Sequence, residues 1–293
     1  MSKVSSMVVA MQGWDDQIMV DATPPSGLFG RKILIESGNV SIDGSELDVE
    51  FTVPFDDDTE ANEAEIIVYN LKKDTLSELK NDQIITITAG YGDDTGVIFS
   101  GRISSKKSKF VGVDKQTIIY AIDREGKSER KIKSISYKKG VKASYILKDL
   151  VKRLKLPIAV FKMRKDYTYK DAVTVSGGLL ANIKQYSEVC GVSTYIYKGK
   201  VYSRWIKDGD DINFELSADT GLLDSPEPFE EEYTSEETSE TIKGYRCKML
   251  LQHRIGVASK VVISSKNVNG TYRVRKGEHS FNGTDFITEI EVI

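Results

Sequence analysis

Two β-patterned regions lie at opposite ends of the chain, with a basic and partly helical middle between them, and that order constrains the fold more than any single motif. In the first region Glu63–Leu71, Ile84–Tyr91 and Gly96–Ile103 are short runs rich in β-branched residues, and turn chemistry such as Tyr91-Gly-Asp-Asp-Thr-Gly96 separates them. In the last region Gly244–Leu251, Ala258–Ser264 and Gly270–Val274 have the same character. Leu47–Val53 alternates apolar with polar residues, as a strand buried on one face must. At 293 residues the chain is long enough for two or three small cores.

Residues 1–30 read as an arm ending in Thr23-Pro-Pro-Ser-Gly27. Residues 31–124 hold five or six strands, at Arg31–Ile35, Leu47–Val53, Glu65–Tyr69, Ile84–Thr88, Val97–Ile103 and Gln116–Ile122. One helical turn, Thr75–Lys80, puts Leu76 and Leu79 on one face. Such strand spacing favours a small barrel or sandwich.

Residues 125–207 read as α+β modules. Ser144 is placed to cap a helix through Ile146, Leu147, Leu150, Val151 and Leu154, with Pro157 stopping it. Its other face carries Lys148, Lys152, Arg153 and Lys155. A second helix runs from Leu179 or Leu180 to Cys190, and Gly191 ends it. Ser193–Tyr197 and Lys200–Trp205 flank Lys198-Gly199 as a β-hairpin. Residues 208–240 are acidic and read as an exposed connection. Residues 241–293 return to β patterning, with turns expected at Gly270, Gly277 and Gly283 and with strands from the preceding segment completing the unit.

The net charge of −3 hides an asymmetry. Residues 101–170 hold 21 Lys/Arg against 6 Asp/Glu, a local charge of +15, which leaves −18 for the rest. The clusters Lys106-Lys107-Ser-Lys109, Arg130-Lys131-Ile-Lys133 and Lys138-Lys139 alternate with Tyr137, Tyr145, Tyr167 and Tyr169. Lysine and tyrosine along one groove would suit single-stranded nucleic acid. These residues fall on different elements and match no named nucleic-acid fold, so the surface is read as solvated or subunit-facing.

No residue set points to catalysis, metal or cofactor. Cys190 and Cys247 are read as buried thiols. His253 and His279 have no second ligand at metal spacing, and His279 is expected at a hairpin edge. Asp56-Asp-Asp58 lacks the alternating oxygens, central Gly and terminal Glu of a calcium loop. There is no Gly-x-Ser-x-Gly elbow and no phosphate loop. No apolar run approaches the ~18 residues that cross a bilayer, and Met7–Met11 is short for a signal-peptide core. Synthesis in the cytoplasm without membrane anchoring is expected.

The ordered motifs resemble the baseplate hub proteins of contractile phage tails and R-type bacteriocins. The resemblance is carried by Ala64–Leu71, Ala89–Tyr91 with Gly96–Ile103, Tyr120–Asp123, Gly221–Glu227, Gly244–Ile255, Gly270–Val274 and the stretch from His279 to Val292. It runs from about Phe29 to the end; the Gln252-His253 pair departs from the Asn-Pro of the family pattern. The resemblance implies an α+β, mainly β fold with two tail-tube-type β-barrel domains and small α+β modules between them. It implies a homotrimer whose six barrels join a hexameric tail tube above to a trimeric spike below. A wedge or LysM-type baseplate protein would lie around the ring, and the protein would end up in a phage tail or bacteriocin particle. DNA would be a partner only in transit, in a phage. On this reading the acidic barrels face the axis, and Lys148, Lys152, Arg153 and Lys155 face outward toward acidic neighbours. A carbohydrate- or cell-surface-binding β module, or a hub with peptidoglycan-hydrolase activity, is the alternative.

Overall fold

The computed structural model describes residues 29–123, 131–212, 214–234 and 239–293. Most of the expected N-terminal arm therefore lies outside the described residues.

The first β region contains β1 (Arg31–Ser37), β2 (Val40–Asp43), β3 (Val49–Phe55), β4 (Glu63–Tyr69), the short helix α1 (Lys73–Glu78), β5 (Ile84–Tyr91), β6 (Asp94–Val111) and β7 (Asp114–Ile122). The middle contains β8 (Lys131–Tyr137), α2 (Ala143–Lys152), β9 (Ile158–Phe161), β10 (Val173–Gly178), α3 (Leu179–Cys190), β11 (Ser193–Tyr197) and β12 (Lys200–Arg204). The last region contains β13 (Phe214–Leu216), β14 (Glu227–Thr234), β15 (Ser239–Leu250), β16 (Lys260–Ser264), β17 (Asn269–Phe281) and β18 (Phe286–Val292). The fold is α+β and mainly β, as the patterning indicated.

Period-two burial builds the strands. In β3 the side chains of Val49, Phe51, Val53 and Phe55 point inward and alternate with more exposed residues. In β4 Ala64, Ile66 and Val68 do the same. Pro54 is tolerated because β4 pairs β3 only from Val49 to Thr52, so its missing N–H falls where that ladder has ended.

The two β regions share one ladder. β3 pairs with β17 from Gly277↔Phe55 to Phe281↔Phe51. The sheet order is β14-β15-β18-β17-β3-β4-β7-β6-β5-β1-β2, with β16 on β17 and β13 on β16, 13 strands in all. Among the described residues this pairing is an open path. The cores cross the same junction. Leu251 and Phe286 of the last region pack in the first core, and Phe55 of the first region packs in the second.

A third core belongs to the middle module, where α2 and α3 pack Ile146, Leu147, Leu150 and Ile183 against Val175 and Val201. α3 ends at Gly191, whose φ of +65° is the left-handed conformation that glycine adopts without steric cost. The N–H of Val192 closes the cap on the Ser187 carbonyl at 3.0 Å. The α2 cap differs from expectation. Ser144 lies inside the first turn, and the carboxylate of Asp166 accepts from its N–H at 3.0 Å and its hydroxyl at 2.7 Å. A distant acid does the work assigned to a local serine, which adjacent sequence cannot reveal.

Three other expectations change. The acidic stretch 208–240 is not a bare connection. β13 lies parallel to β16 with Leu216 fully buried, and β14 forms eight residue pairs with β15. Gly270 and Gly277 lie within β17 rather than in turns. At Gly277 a Cβ would come within 2.4 Å of the Glu289 carbonyl, so glycine there serves close backbone approach. His279 is fully buried in the ladder, not at a hairpin edge.

Candidate assembly surfaces

The junction of the three regions holds a densely bonded polar site. The loop after β15 brings His253 and Arg254 onto Asp94 at the start of β6. Arg254 donates to the two Asp94 oxygens at 2.7 and 2.5 Å, and the His253 ring lies 3.0 Å from one of them. The Arg254 bonds hold the Asp94 carboxyl below the usual carboxylate range. The β11–β12 turn enters from the middle module. Lys198 has φ +49° and Gly199 φ +72°, the two left-handed residues of a type I′ turn. Lys198 Nζ donates to the His253 carbonyl at 3.0 Å. No carboxylate offsets its desolvation, which lowers its pKa to about 8.

Aromatic packing completes the junction. Phe55 lies 6.1 Å from the Tyr197 ring and 4.9 Å from His279. The Tyr197 hydroxyl sits over Gly256, where an added Cβ would be 1.9 Å from it. His279 Nδ1 meets the Thr288 hydroxyl at 2.8 Å, and burial pushes its pKa down to about 3. This histidine is a neutral core residue. Burial also raises the thiols, Cys190 to about 11 and Cys247 to about 12, which leaves both poorly nucleophilic at neutral pH.

A cleft of about 480 Å³ opens where β3, β15, β17 and β18 meet, with Asp56, Asp224, Glu227, Glu278 and Glu289 among its lining residues. Burial and the neighbouring Asp58 raise Asp56 to about 6, and burial with Glu289 raises Glu278. Among the described residues no group of His, Cys, Asp and Glu is arranged to hold a metal ion. No described helix is long and apolar enough to cross a membrane.

The basic helix face is only partly as the sequence suggested. Lys148 and Lys152 are exposed on α2 together with Tyr145, which is 64% exposed. Lys148 lies over the Phe161 ring at 5.5 Å. Arg153 is engaged by Asp149 at 3.0 Å, and Lys155 sits beyond the helix end with φ +59°. The lysines around 106–109 are elsewhere, on the far half of β6. There Lys106 Nζ binds the carbonyls of Leu76 and Leu79 and so closes the end of α1.

Sequence reasoning missed the end of that hairpin. β6 and β7 close through a two-residue turn, Gly112-Val113, and Phe110, Val111 and Val113 are 74%, 49% and 94% exposed. The available signal was Phe110-Val-Gly-Val113 itself, an apolar run around a glycine between lysine-rich alternations.

Comparison with known proteins places this architecture. Three solved tail-related structures share the fold. The 43 kDa tail protein of prophage MuSo2 from Shewanella oneidensis matches with a TM-score of 0.64 at 6% identity, covering 90% of this chain and 98% of that one. A tail protein from Neisseria meningitidis MC58 matches with a TM-score of 0.59 at 9% identity, covering 90% and 96%. The E. coli c3393 protein matches with a TM-score of 0.60 at 8% identity, covering 88% and 76%. That protein is described as a type VI secretion component with structural similarity to the T4 tail proteins gp27 and gp5. No curated protein sequence matches. The model of the baseplate hub gp41 family matches residues 61–290, and the chain belongs to that family.

Proposed function

We propose that this protein is the structural hub of a contractile injection particle. Three copies form a ring that joins the tail tube to the spike and keeps the channel continuous during envelope penetration. The observation that carries the reading is the β3–β17 ladder. It makes the two β regions one hydrogen-bonded body with interleaved cores, and the Asp94–Arg254–His253 bonds brace it. An adapter under axial force needs two tube-like units that do not hinge, and a shared ladder resists hinging because opening it would expose unpaired backbone groups.

In this reading the two β regions supply two tube-type barrel positions per subunit. The acidic cleft lies toward the channel, where like charge repels a passing nucleic-acid backbone. Lys148, Lys152, Arg153 and Lys155, with Tyr145, face acidic surfaces of surrounding baseplate proteins. Charge attraction there speeds and orients docking more than it sets affinity. The protein acts mechanically and has no hydrolase activity.

The deciding experiment is a reconstruction of the assembled particle. Three copies at the tube–spike junction are expected, and six copies would overturn the ring. Purified protein is expected to clear no zone in cell-wall zymography. Reversing Lys148, Lys152, Arg153 and Lys155 to glutamate is expected to leave the protein folded and block baseplate assembly; normal assembly would refute the outward-facing assignment.

A further inference from the structure

We infer that the apolar tip of the β6–β7 hairpin is a docking arm for a second copy of this chain, seated at its β14 edge. The arm is built before it meets a partner. β5 leaves β6 at Arg102 and β4 leaves β7 at Gln116, so the last residues form a two-stranded projection about 10 Å long. Asn70 stiffens its root. Its side chain donates to Asp114 at 2.9 Å and accepts from the Lys115 N–H at 3.0 Å, and its own N–H binds the Lys115 carbonyl. A braced arm loses little conformational entropy on docking. Solvation offers no reason for Phe110, Val111 and Val113 to be contiguous and exposed, and such patches mark interaction sites.

The β14 edge fits this arm in shape and in charge. β14 is the terminal strand of the sheet and pairs only with β15 among the described residues. Beside it lies a slot of about 430 Å³ lined by Pro228, Phe229, Gly244, Tyr245 and Tyr272, with the Glu230–Lys243 ion pair at 2.9 Å on its wall, so a phenylalanine and a valine would meet the three rings. The strand exposes Glu227, Glu230, Glu231 and Glu232; Glu230 is already bridged by Lys243 and Glu231 by Arg275, so the charge offered to the arm is carried chiefly by Glu227 and Glu232. The arm carries Lys107, Lys109 and Lys115 next to its tip. Apolar contact is thus framed by opposite charges, which favours one partner and disfavours others.

The arm on β6–β7 and the slot at β14 lie on different parts of the sheet order, so one copy can present its arm to a second copy while its own slot receives a third. The contact is head-to-tail, and such contacts close into rings when the rotation permits. This inference rests on the ring reading above and names the contact that would build it.

The test uses the full chain. Val113→Cys at the hairpin tip and Glu230→Cys in the β14 edge should give intermolecular disulfides on mild oxidation, while either change alone should not. Sedimentation equilibrium up to high protein concentration should show self-association. The pair Phe110→Glu and Val113→Glu should weaken it about thirtyfold or more, as loss of a central apolar anchor does. Lys107→Glu with Lys109→Glu should weaken it too, and Glu227→Lys with Glu232→Lys in the mixed partner should restore it. The arm lies outside the cores, so unchanged circular dichroism is expected for its variants. Absence of self-association, or crosslinks that do not need both cysteines, would overturn the inference. A particle with three copies whose arms seat on another protein would also overturn it, yet leave the hub reading intact. A ring of six with the arm in the slot would do the reverse.

Discussion

Two hairpins close through two-residue turns containing glycine, and their tips have opposite fates. The β11–β12 turn carries Lys198, a cation, and is tucked into the junction against the His253 carbonyl. The β6–β7 turn carries Val113 beside Phe110 and Val111, and stands in solvent. Hydropathy alone would assign them the other way. Turn chemistry decides where a chain reverses. What the tip meets is decided by the other elements, here Gly256, Phe55 and the loop after β15.

The largest effect should come from breaking the buried tip's fit. Gly256→Val places side-chain atoms in the volume held by Tyr197 and should cost about 3 kcal/mol by overpacking. Urea unfolding would measure it; a loss below about 0.5 kcal/mol would mean the β11–β12 tip is only loosely seated.

Arg254→Ala should come next, at about 1–2 kcal/mol, because Asp94 keeps only His253 as a partner while both groups remain partly solvated. The sign with pH follows from the lowered Asp94 pKa. Its contribution is present above the ordinary carboxylate pKa of 3.8 and fades as pH falls through the depressed folded value. The difference between wild type and variant should therefore shrink in acid. His279, lowered to about 3, adds a separate acid loss in both proteins that begins below the unfolded value of 6.5.

Lys198→Met sharpens the comparison by making the buried tip apolar. A lysine lowered to about 8 destabilises the fold while both states are protonated, and this penalty disappears as pH rises from about 8 to 10.5. The variant should be as stable as wild type or more stable at pH 7, and the gap should close toward pH 10.5. A variant less stable at every pH would show that the bond to the His253 carbonyl outweighs desolvation.

The smallest effect belongs to the exposed tip. Phe110→Ser with Val113→Ser should change unfolding free energy by no more than about 0.5 kcal/mol, since neither side chain enters a core. A larger loss would mean that the tip folds back on the subunit, and the contrast between the hairpins would disappear.

Much of the local structure was legible. The alternation in Leu47–Val53, the apolar stripe of Ile146, Leu147, Leu150 and Val151, the left-handed glycine at 191 and the Lys198-Gly199 turn all depend on residues a few positions apart. The hub family was legible from ordered motifs. Less could be read where a residue's role depends on a distant partner. Ser144 resembled a cap until Asp166 filled that role, and Gly277 resembled a turn until Phe55 and Glu289 closed on it.

By itself the sequence determined many of the strands, the two longer helices, the Lys198-Gly199 turn and the segregation of positive charge into residues 101–170, because periodicity and turn propensity act within a few residues. Only the tertiary structure decided that β3 takes β17 as its neighbour, that acidic residues 227–234 become a sheet edge, and which hairpin tip is covered. Those outcomes depend on pairings between residues as far apart as Phe51 and Phe281, and many strands of similar pattern could have competed for each place. The choice among them rests on how whole faces pack, a property no short window of sequence contains.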